Sequence, residues 1–580
     1  MSRLCVPILV EDAEDASRAL ENAAVAAELG ATLVEWRVDP LAGDPHGAAA
    51  ASRLLTESPM PAILTCRDPE EGGAFETDDD ERAALLRAIA EREPRPRYVD
   101  VELAAWERSP ALREAASELL GPDTSLILST HDFFGRPRDL WQRLERMASI
   151  DACDIIKVAW FARSLRDILE VADVIAARLK PTIALAMGPY GSPSRVLAGK
   201  LGGLLTFASL GDGTATAPGQ PTLAVMKHVF RFPEISRTTA TYGIAGDPVE
   251  HSHGPIVHNA GFRAIGHDGV YLPMPIPAGW ESFLATVGSW LDDERLGLRG
   301  LSVTLPHKTN LLRFVRDAGG DVSPLAALVG AANTLSVQGD GATRILLADN
   351  TDAPAIVAAI AEAIAGPAAE RSGAAGAGAA AGAAGARADG AAAETLSFAG
   401  PAANPGVLLG RHAVILGAGG AARAAAAGLA YAGMPVTVLA RRPDAAAEIA
   451  ADLHGKPDAS DAPMHVIAGR LDAAGAEAAI GAGPSVIVNA TPVGMATGDA
   501  PDGDPLPASV ELGSDHIVFD TVYVPRETPL IRRARAAGAG VITGDVLFVG
   551  QADRQFQQWT GQPLPPEAIA AVPMERRPAE

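Results

Sequence analysis

Lys157 and His131 are the first residues of this sequence whose types and surroundings suggest chemistry. Lys157 stands in DIIKVAWFA with apolar residues on both sides. An ammonium stripped of water sheds its proton more readily, and a neutral amine in a dry strand is a nucleophile able to form an imine with a ketone. His131, in STHDFFG, closes the preceding apolar run and offers the general acid/base that a carbonyl-activated elimination needs. Taken singly, a lysine at a strand end snorkels and a histidine is structural. Here Glu35, Arg37 and Arg67 also stand late in, or just after, neighbouring runs, so charged groups collect on one rim. Far downstream, GAGGAA follows the run HAVIL and opens a helical pattern, the context of a dinucleotide fingerprint. Gly417, Gly419, Gly420 and Ala421 would let a pyrophosphate approach the backbone and the helix N-terminus. The acid that would hold an NAD ribose is absent at the end of the next run, where Arg441 and Arg442 favour the extra phosphate of NADP.

These residues need elements to hold them. Up to about residue 225 the chain shows eight β-type runs: LCVPILV, ATLVEWRV, AILTCR, RYVDVEL, SLILSTHD, IIKVAW, TIALAMG and LLTFAS. Helical patterns such as DASRALENAAVAAELG fall between most of them, which predicts a (β/α)8 barrel with its chemistry at the carboxyl ends of the strands. A second α/β pattern begins near residue 238 with TYGIAGD, GVYLPMPI, GLSVTLP and RILLAD. After HAVIL come VTVLARR, VIVNATP, IVFDTVY and GVITGD between Ala-rich helices, the pattern of a doubly wound Rossmann sheet. DVLFVGQADRQFQQWTG reads as an amphipathic helix able to pack back on the earlier lobe. Between the lobes, an Ala/Gly tract cannot bury enough area to offset its ordering entropy and is expected to be a flexible surface insertion. The expected division is a barrel over 1–228, a second lobe over 238–365, the insertion over 366–405, a nucleotide lobe over 406–545 and the packing helix over 546–575.

Bulk properties narrow the partners. A chain of 580 residues exceeds one hydrophobic core, and 48% hydrophobic with 21% charged residues is a globular composition. A formal charge of −23 argues against nucleic acid, whose phosphates require concentrated basic surface. Cys5, Cys66 and Cys153 have neither metal nor redox spacing, which suits a reducing compartment without disulfides, and no metal site is expected. The opening MSRLCVPILVEDAED lacks the pattern of a secretory signal, and no apolar run reaches the roughly 18 residues of a membrane span. A cytoplasmic protein away from membranes is the expectation.

Residues 1 to 225 resemble the type I 3-dehydroquinate dehydratases through EWRVD, TCRDPEEGG, STHDF, IIKVA, MGPYGSPSR and TAPGQ. The resemblance implies that Lys157 forms the imine with the substrate ketone, that His131 moves the α-proton and protonates the departing hydroxyl, and that Glu71 orients His131. It further implies that Glu35, Arg37 and Arg67 hold substrate hydroxyls, while Arg195 and Gln220 bind the carboxylate with Thr216 where the family has serine. Residues 238 to 575, apart from the insertion, resemble shikimate dehydrogenases through GDPVEHSHGPIVHNAGF, GLSVTLPHK, GAANTL, DNTD, GAGGAAR, NATPVGM, VYVPRETPL and GQADRQFQQWTG. That resemblance implies Lys308 and Asp352 as the catalytic pair and Ser252, Thr304, Asn333, Tyr523 and Gln551 around the substrate. It adds Thr491 and Gly544 to the NADP-binding residues.

The implied function is two consecutive steps, dehydration of 3-dehydroquinate and NADPH-dependent reduction of 3-dehydroshikimate to shikimate, by a monomer or homodimer acting on small molecules. Gly254 stands where the family has a second serine at the carboxylate anchor. The lost hydroxyl is expected to leave space that would admit quinate. The rival readings are a catabolic quinate/shikimate dehydrogenase fused to the barrel, and a non-catalytic quinate sensor. Retention of Lys157, His131, Lys308 and Asp352 speaks against the sensor.

Overall fold

The computed structural model describes residues 2–74, 77–211, 213–365, 408, 410–481 and 483–573. The tract 366–405 lies outside the described residues. The chain divides into two compact units, Met1–Arg299 with Asp340–Ala342, and Gly300–Gly339 with Thr343–Glu580. This division falls inside the 238–365 stretch.

All eight runs of the first stretch are strands: β1 (Arg3–Leu9), β2 (Leu33–Arg37), β3 (Ala62–Thr65), β4 (Tyr98–Glu102), β5 (Ser125–Asp132), β6 (Cys153–Phe161), β7 (Thr182–Met187) and β8 (Leu205–Phe207). They form one sheet in the order β7-β6-β5-β4-β3-β2-β1-β8, parallel at each pairing from β1 with β8 round to β6 with β7. The Leu204 N–H donates to the Thr182 carbonyl at 2.9 Å, which brings the approach to β8 back beside β7. Strands covered on both faces read as continuous apolar runs, which is why these were legible. One residue or more from every strand joins a single buried cluster, Cys5, Leu33, Ile63, Tyr98, Ile127, Ile155, Ile183 and Leu205 among them. This apolar plug fills the barrel toward the strands' amino ends and leaves the carboxyl ends for polar groups.

The first unit also carries β9 (Ala240–Gly246) and β10 (Gly269–Pro275), a parallel pair. β11 (Leu298–Val303) enters the second unit at Gly300, and from there runs antiparallel to β13 (Thr334–Gln338), with β13 antiparallel to β14 (Ile345–Asp349) and the short β12 (Asp321–Val322) parallel to β14. The nucleotide-type sheet comprises β15 (His412–Leu416), β16 (Val436–Ala440), β17 (Val466–Arg470), β18 (Ser485–Asn489), β19 (Ile517–Asp520) and β20 (Gly540–Ile542). Its order is β17-β16-β15-β18-β19-β20, all parallel. That is the doubly wound arrangement, whose strand order reverses between β15 and β18 and opens a crevice at their carboxyl ends. The helix Gly544–Thr560 leaves this sheet and reaches β11 and β13: Gln555 accepts from the Ser302 hydroxyl at 2.6 Å and donates to the Asn333 carbonyl at 3.3 Å, and the Trp559 indole donates to the Leu335 carbonyl at 3.1 Å. No helix among the described residues is long and apolar enough to cross a membrane.

Candidate active sites

Side chains alternate across a strand, so in β6 Lys157 faces the barrel lumen while Ile156 and Val158 face the surrounding helices. The sequence reading of an amine among apolar neighbours is therefore corrected. Lys157 is only 4% exposed, but its Nζ donates to Asp100 Oδ2 at 2.6 Å and to Glu35 Oε1 at 3.2 Å. The Phe207 ring lies 4.7 Å from the Nζ. Burial opposes charge on Asp100, yet Arg67 and Lys157 outweigh it and hold the carboxyl below the usual carboxylate range.

Arg67 is the hub of the rim. It donates to Glu102 Oε1 at 2.7 Å, Ser129 Oγ at 3.0 Å and Asp100 Oδ2 at 3.1 Å, with His131 Nδ1 at 3.4 Å. His131 sits above it, tied to Glu71 twice: its backbone N–H donates to Glu71 Oε2 at 2.7 Å, and Nδ1 lies 3.1 Å from the same oxygen. Burial, then the positive charges of Arg67 and Lys157, hold the His131 imidazole well below the ordinary histidine range. Burial and the neighbouring Glu102 carboxylate push Glu71 up to about 8. At neutral pH the pair is thus a neutral imidazole beside a neutral carboxyl, a hydrogen bond rather than a salt bridge. Arg37 is held by Asp39 in a two-pronged pair at 2.9 and 3.0 Å.

Arg195 differs from these arginines. It is 2% exposed and pairs with no carboxylate among the described residues, its Nε has no hydrogen-bond partner, and burial lowers its guanidinium to about 10. Beside it Gln220 accepts from the Thr216 N–H at 3.1 Å while its own amide nitrogen is unpartnered. Glu35, Arg37, Arg67, Glu71, His131, Lys157, Arg195, Thr216 and Gln220 line one cavity, with Phe133, Met187 and Phe207 as apolar walls. The structure brings together every barrel residue the sequence singled out. Asp100, Glu102 and Ser129 were missed, although two acids inside the buried strand β4 were a readable signal, because buried carboxylates need partners.

In the second unit, Lys308 Nζ donates to Asp352 Oδ2 at 2.6 Å. The two residues open the helices Lys308–Asp317 and Asp352–Ala365. Asn333 lies under them, its Oδ1 accepting from the Thr351 N–H at 2.8 Å and the Thr334 hydroxyl at 2.9 Å. Thr304 precedes Lys308, its carbonyl accepting from the His307 N–H at 2.9 Å. Tyr523 stacks on Phe548 at 5.2 Å, and Gln551 donates to the Phe548 carbonyl at 3.2 Å.

The glycine turn meets this group directly, since a Cβ on Gly420 would lie 2.8 Å from Lys308 Cδ. Gly417 has φ +116°, and a Cβ there would sit 2.8 Å from the Ala490 carbonyl, so two loops close on each other where the strand order reverses. Gly419 has open space in place of a side chain, and Gly420 and Ala421 start the helix Gly420–Tyr431. A bare helix N-terminus with an uncrowded glycine before it fits a dinucleotide pyrophosphate. Arg441 and Arg442 follow β16, and both are exposed. Thr491 is fixed by Asn489, whose Oδ1 accepts its N–H at 3.0 Å and its hydroxyl at 2.7 Å; Asn489 in turn donates to Asp520 at 2.9 Å. Gly544 opens its helix where a Cβ would meet the Val522 carbonyl at 2.3 Å. Asn489, Asp520 and Gln555 had not been singled out, since their roles depend on partners remote in sequence.

Ser252 lies in the first unit, where its Oγ accepts from the Gly254 N–H at 3.1 Å. The expectation of space at Gly254 is not met. A Cβ there would lie 3.0 Å from Tyr271 Cε1 and 3.2 Å from both Tyr271 Oη and Ser252 Oγ, so the buried Tyr271 ring fills the volume.

With this geometry in hand, comparison with known proteins is informative. The family described as Type I 3-dehydroquinase matches residues 4–237, and the shikimate dehydrogenase substrate binding domain matches residues 244–335. The chain is 32% identical over 571 residues to the chloroplastic bifunctional 3-dehydroquinate dehydratase/shikimate dehydrogenase of Arabidopsis thaliana, covering 98% of this chain and 83% of that protein. The NADP(+) shikimate dehydrogenase of Anaeromyxobacter sp. (strain K) is 33% identical over 59% of this chain and 98% of its own length. Among solved structures, the dehydroquinate dehydratase and shikimate dehydrogenase from S. pombe AroM is 23% identical, covers 98% of each chain and has a TM-score of 0.38. The chain belongs to the bifunctional 3-dehydroquinate dehydratase/shikimate dehydrogenases, a lyase and an oxidoreductase of the shikimate pathway on one polypeptide.

Proposed function

We propose that Lys157 adds its amine to the ketone of 3-dehydroquinate and expels water to form an imine, with Glu35 placed to receive the proton the ammonium gives up. His131, held uncharged, takes the α-proton and returns it to the departing hydroxyl, which leaves as water. Hydrolysis of the imine then frees 3-dehydroshikimate and the amine. Glu71 orients His131, Glu35, Arg37 and Arg67 hold hydroxyls, and Thr216 and Gln220 assist Arg195 at the carboxylate. The observation that carries this reading is Arg195, a buried guanidinium without a carboxylate of its own, in the cavity that holds Lys157.

In the second activity Lys308 holds a proton at the reacting oxygen and Asp352 keeps the ammonium there, with Ser252, Thr304, Asn333, Tyr523 and Gln551 around the substrate. Gly417, Gly419, Gly420 and Ala421 would hold the pyrophosphate of NADPH, Arg441 and Arg442 its 2′-phosphate, and Thr491 and Gly544 its nicotinamide end. Bound NADPH supplies the hydride. The proposed domains are those of the sequence reading, 1–228, 238–365, 366–405, 406–545 and 546–575. We place the protein in the cytoplasm as a monomer or homodimer acting on small molecules, supported by three buried free cysteines.

The test is a coupled assay of 3-dehydroquinate plus NADPH in the wild type, Lys157→Ala and Lys308→Ala. Both variants should lose net conversion, and added 3-dehydroshikimate should rescue Lys157→Ala alone. Borohydride with 3-dehydroquinate should leave a stable adduct on Lys157. Normal dehydration by Lys157→Ala would overturn the imine mechanism.

A further inference from the structure

Arg82 is 1% exposed and does not line the barrel cavity, yet it is wired to the cavity's central arginine. It lies in the first turn of the helix Asp79–Ala90, whose N-terminus is fixed by a reciprocal cap between Asp78 and Glu81 at 2.8 and 3.3 Å. A guanidinium has five N–H donors in a rigid fork, and each meets an acceptor here. Nε and one Nη2 donor reach the Cys66 carbonyl at 3.1 and 2.7 Å, and the Nη1 donors reach Asp68 Oδ2 at 3.3 Å and Asp79 Oδ1 at 3.1 Å. The fifth goes to Glu102 Oε2.

The targets share a purpose. Cys66 and Asp68 flank Arg67 in the chain. Glu102 accepts from Arg67 through its other oxygen at 2.7 Å and from the Asp68 N–H at 3.2 Å. Asp68 also caps the turn Pro69–Glu71, accepting from the Glu70 N–H at 2.9 Å, and that turn carries Glu71 to His131. Arg82 thus grips the backbone before Arg67, the side chain after it and the carboxylate opposite it. Arg108 holds the outer side of Asp68 at 2.8 Å.

We propose that Arg82 is a positioning residue for dehydration, acting through Glu102 and Asp68 to set Arg67 and the Glu71–His131 pair against the imine. It rests on the barrel reading above. An arginine is required because a lysine offers three donors in no fixed plane, too few for four separate acceptors. The step chiefly affected is proton transfer, since Arg82 reaches the Glu71–His131 pair through the turn that Asp68 caps, whereas it reaches Lys157 only through Glu102, Arg67 and Asp100 in turn.

The test uses the full chain with Arg82→Met, Arg82→Lys, Glu102→Gln and the Arg82→Met/Glu102→Gln double variant. Dehydratase kcat and KM are measured with borohydride trapping, and dehydrogenase turnover of the same samples reports the folded, active protein. A displacement of about 1 Å in reacting groups costs about 100-fold, so Arg82→Met should lower dehydratase kcat by about that factor. KM should rise by less than kcat falls, because Arg67 also holds substrate hydroxyls, and the Lys157 adduct should form in full yield. Arg82→Lys should not rescue, and the double variant should be no worse than the single ones. Wild-type kcat in Arg82→Met, full rescue by lysine, or loss of the trapped adduct together with activity would overturn the proposal. Should Arg82→Met fail to fold, Arg82→Lys and Glu102→Gln decide by the same readouts. Active Lys157→Ala would instead sink the barrel mechanism itself, which separates the two failures.

Discussion

A carboxyl group that keeps its proton to about pH 8 stays uncharged over most of the physiological range, and Glu71 is such a group. The sign follows from its raised value: the folded protein retains a proton that the unfolded chain releases near the ordinary glutamate range, so stability falls as pH rises toward 8. Glu71→Gln keeps the neutral shape and removes the titration. Its dehydratase activity should match the wild type at pH 6.5 and exceed it above pH 8, and its melting temperature should fall less between these values. A pH–rate profile and a thermal melt check both. At the other site, Arg441→Ala with Arg442→Ala should erode the preference for NADPH over NADH by about tenfold or more in kcat/KM, because a phosphate loses charge-assisted hydrogen bonds. At this scale the sequence singled out candidate reacting groups but disclosed little of what surrounds them. Lys157 and Glu35 could be picked out, whereas Asp100, the nearer carboxylate, comes from β4, a strand separated from Lys157 by whole βα units.

Elements fared better than their residues. The eight barrel strands and five of the six strands of the doubly wound sheet were readable because each is an apolar run closed by a polar turn. Three strands escaped, the two-residue β12 for its shortness. In β17 a glycine and an arginine break the apolar signal and the strand is largely exposed at the sheet edge, while β13 hides behind a string read for its asparagine rather than its period. The glycine turn after β15 makes a prediction of its own. Gly417→Ala forces a side chain into φ +116° and against the Ala490 carbonyl. The expected cost is about 1–3 kcal/mol of stability. Dehydrogenase turnover should drop with a raised KM for NADPH while dehydratase turnover in the same sample stays level.

For the molecule as a whole, a formal charge of −23 accompanies two compact units with one chemistry rooted in each. A ligand that binds only the folded form stabilises by about 2.7 kcal/mol at a hundredfold excess over its Kd. NADPH should therefore raise the temperature at which dehydrogenase activity is lost on heating and leave the loss of dehydratase activity where it was, measured by residual activity after timed incubation. A further consequence follows from the helix Gly544–Thr560, whose Gln555 and Trp559 complete the hydrogen bonding of β11 and β13. The ribosome has finished the last barrel strand at Phe207 long before it reaches Gly544. The nascent chain accordingly acquires its lyase well before its reductase, so a translation product stalled between them would release 3-dehydroshikimate without the means to consume it.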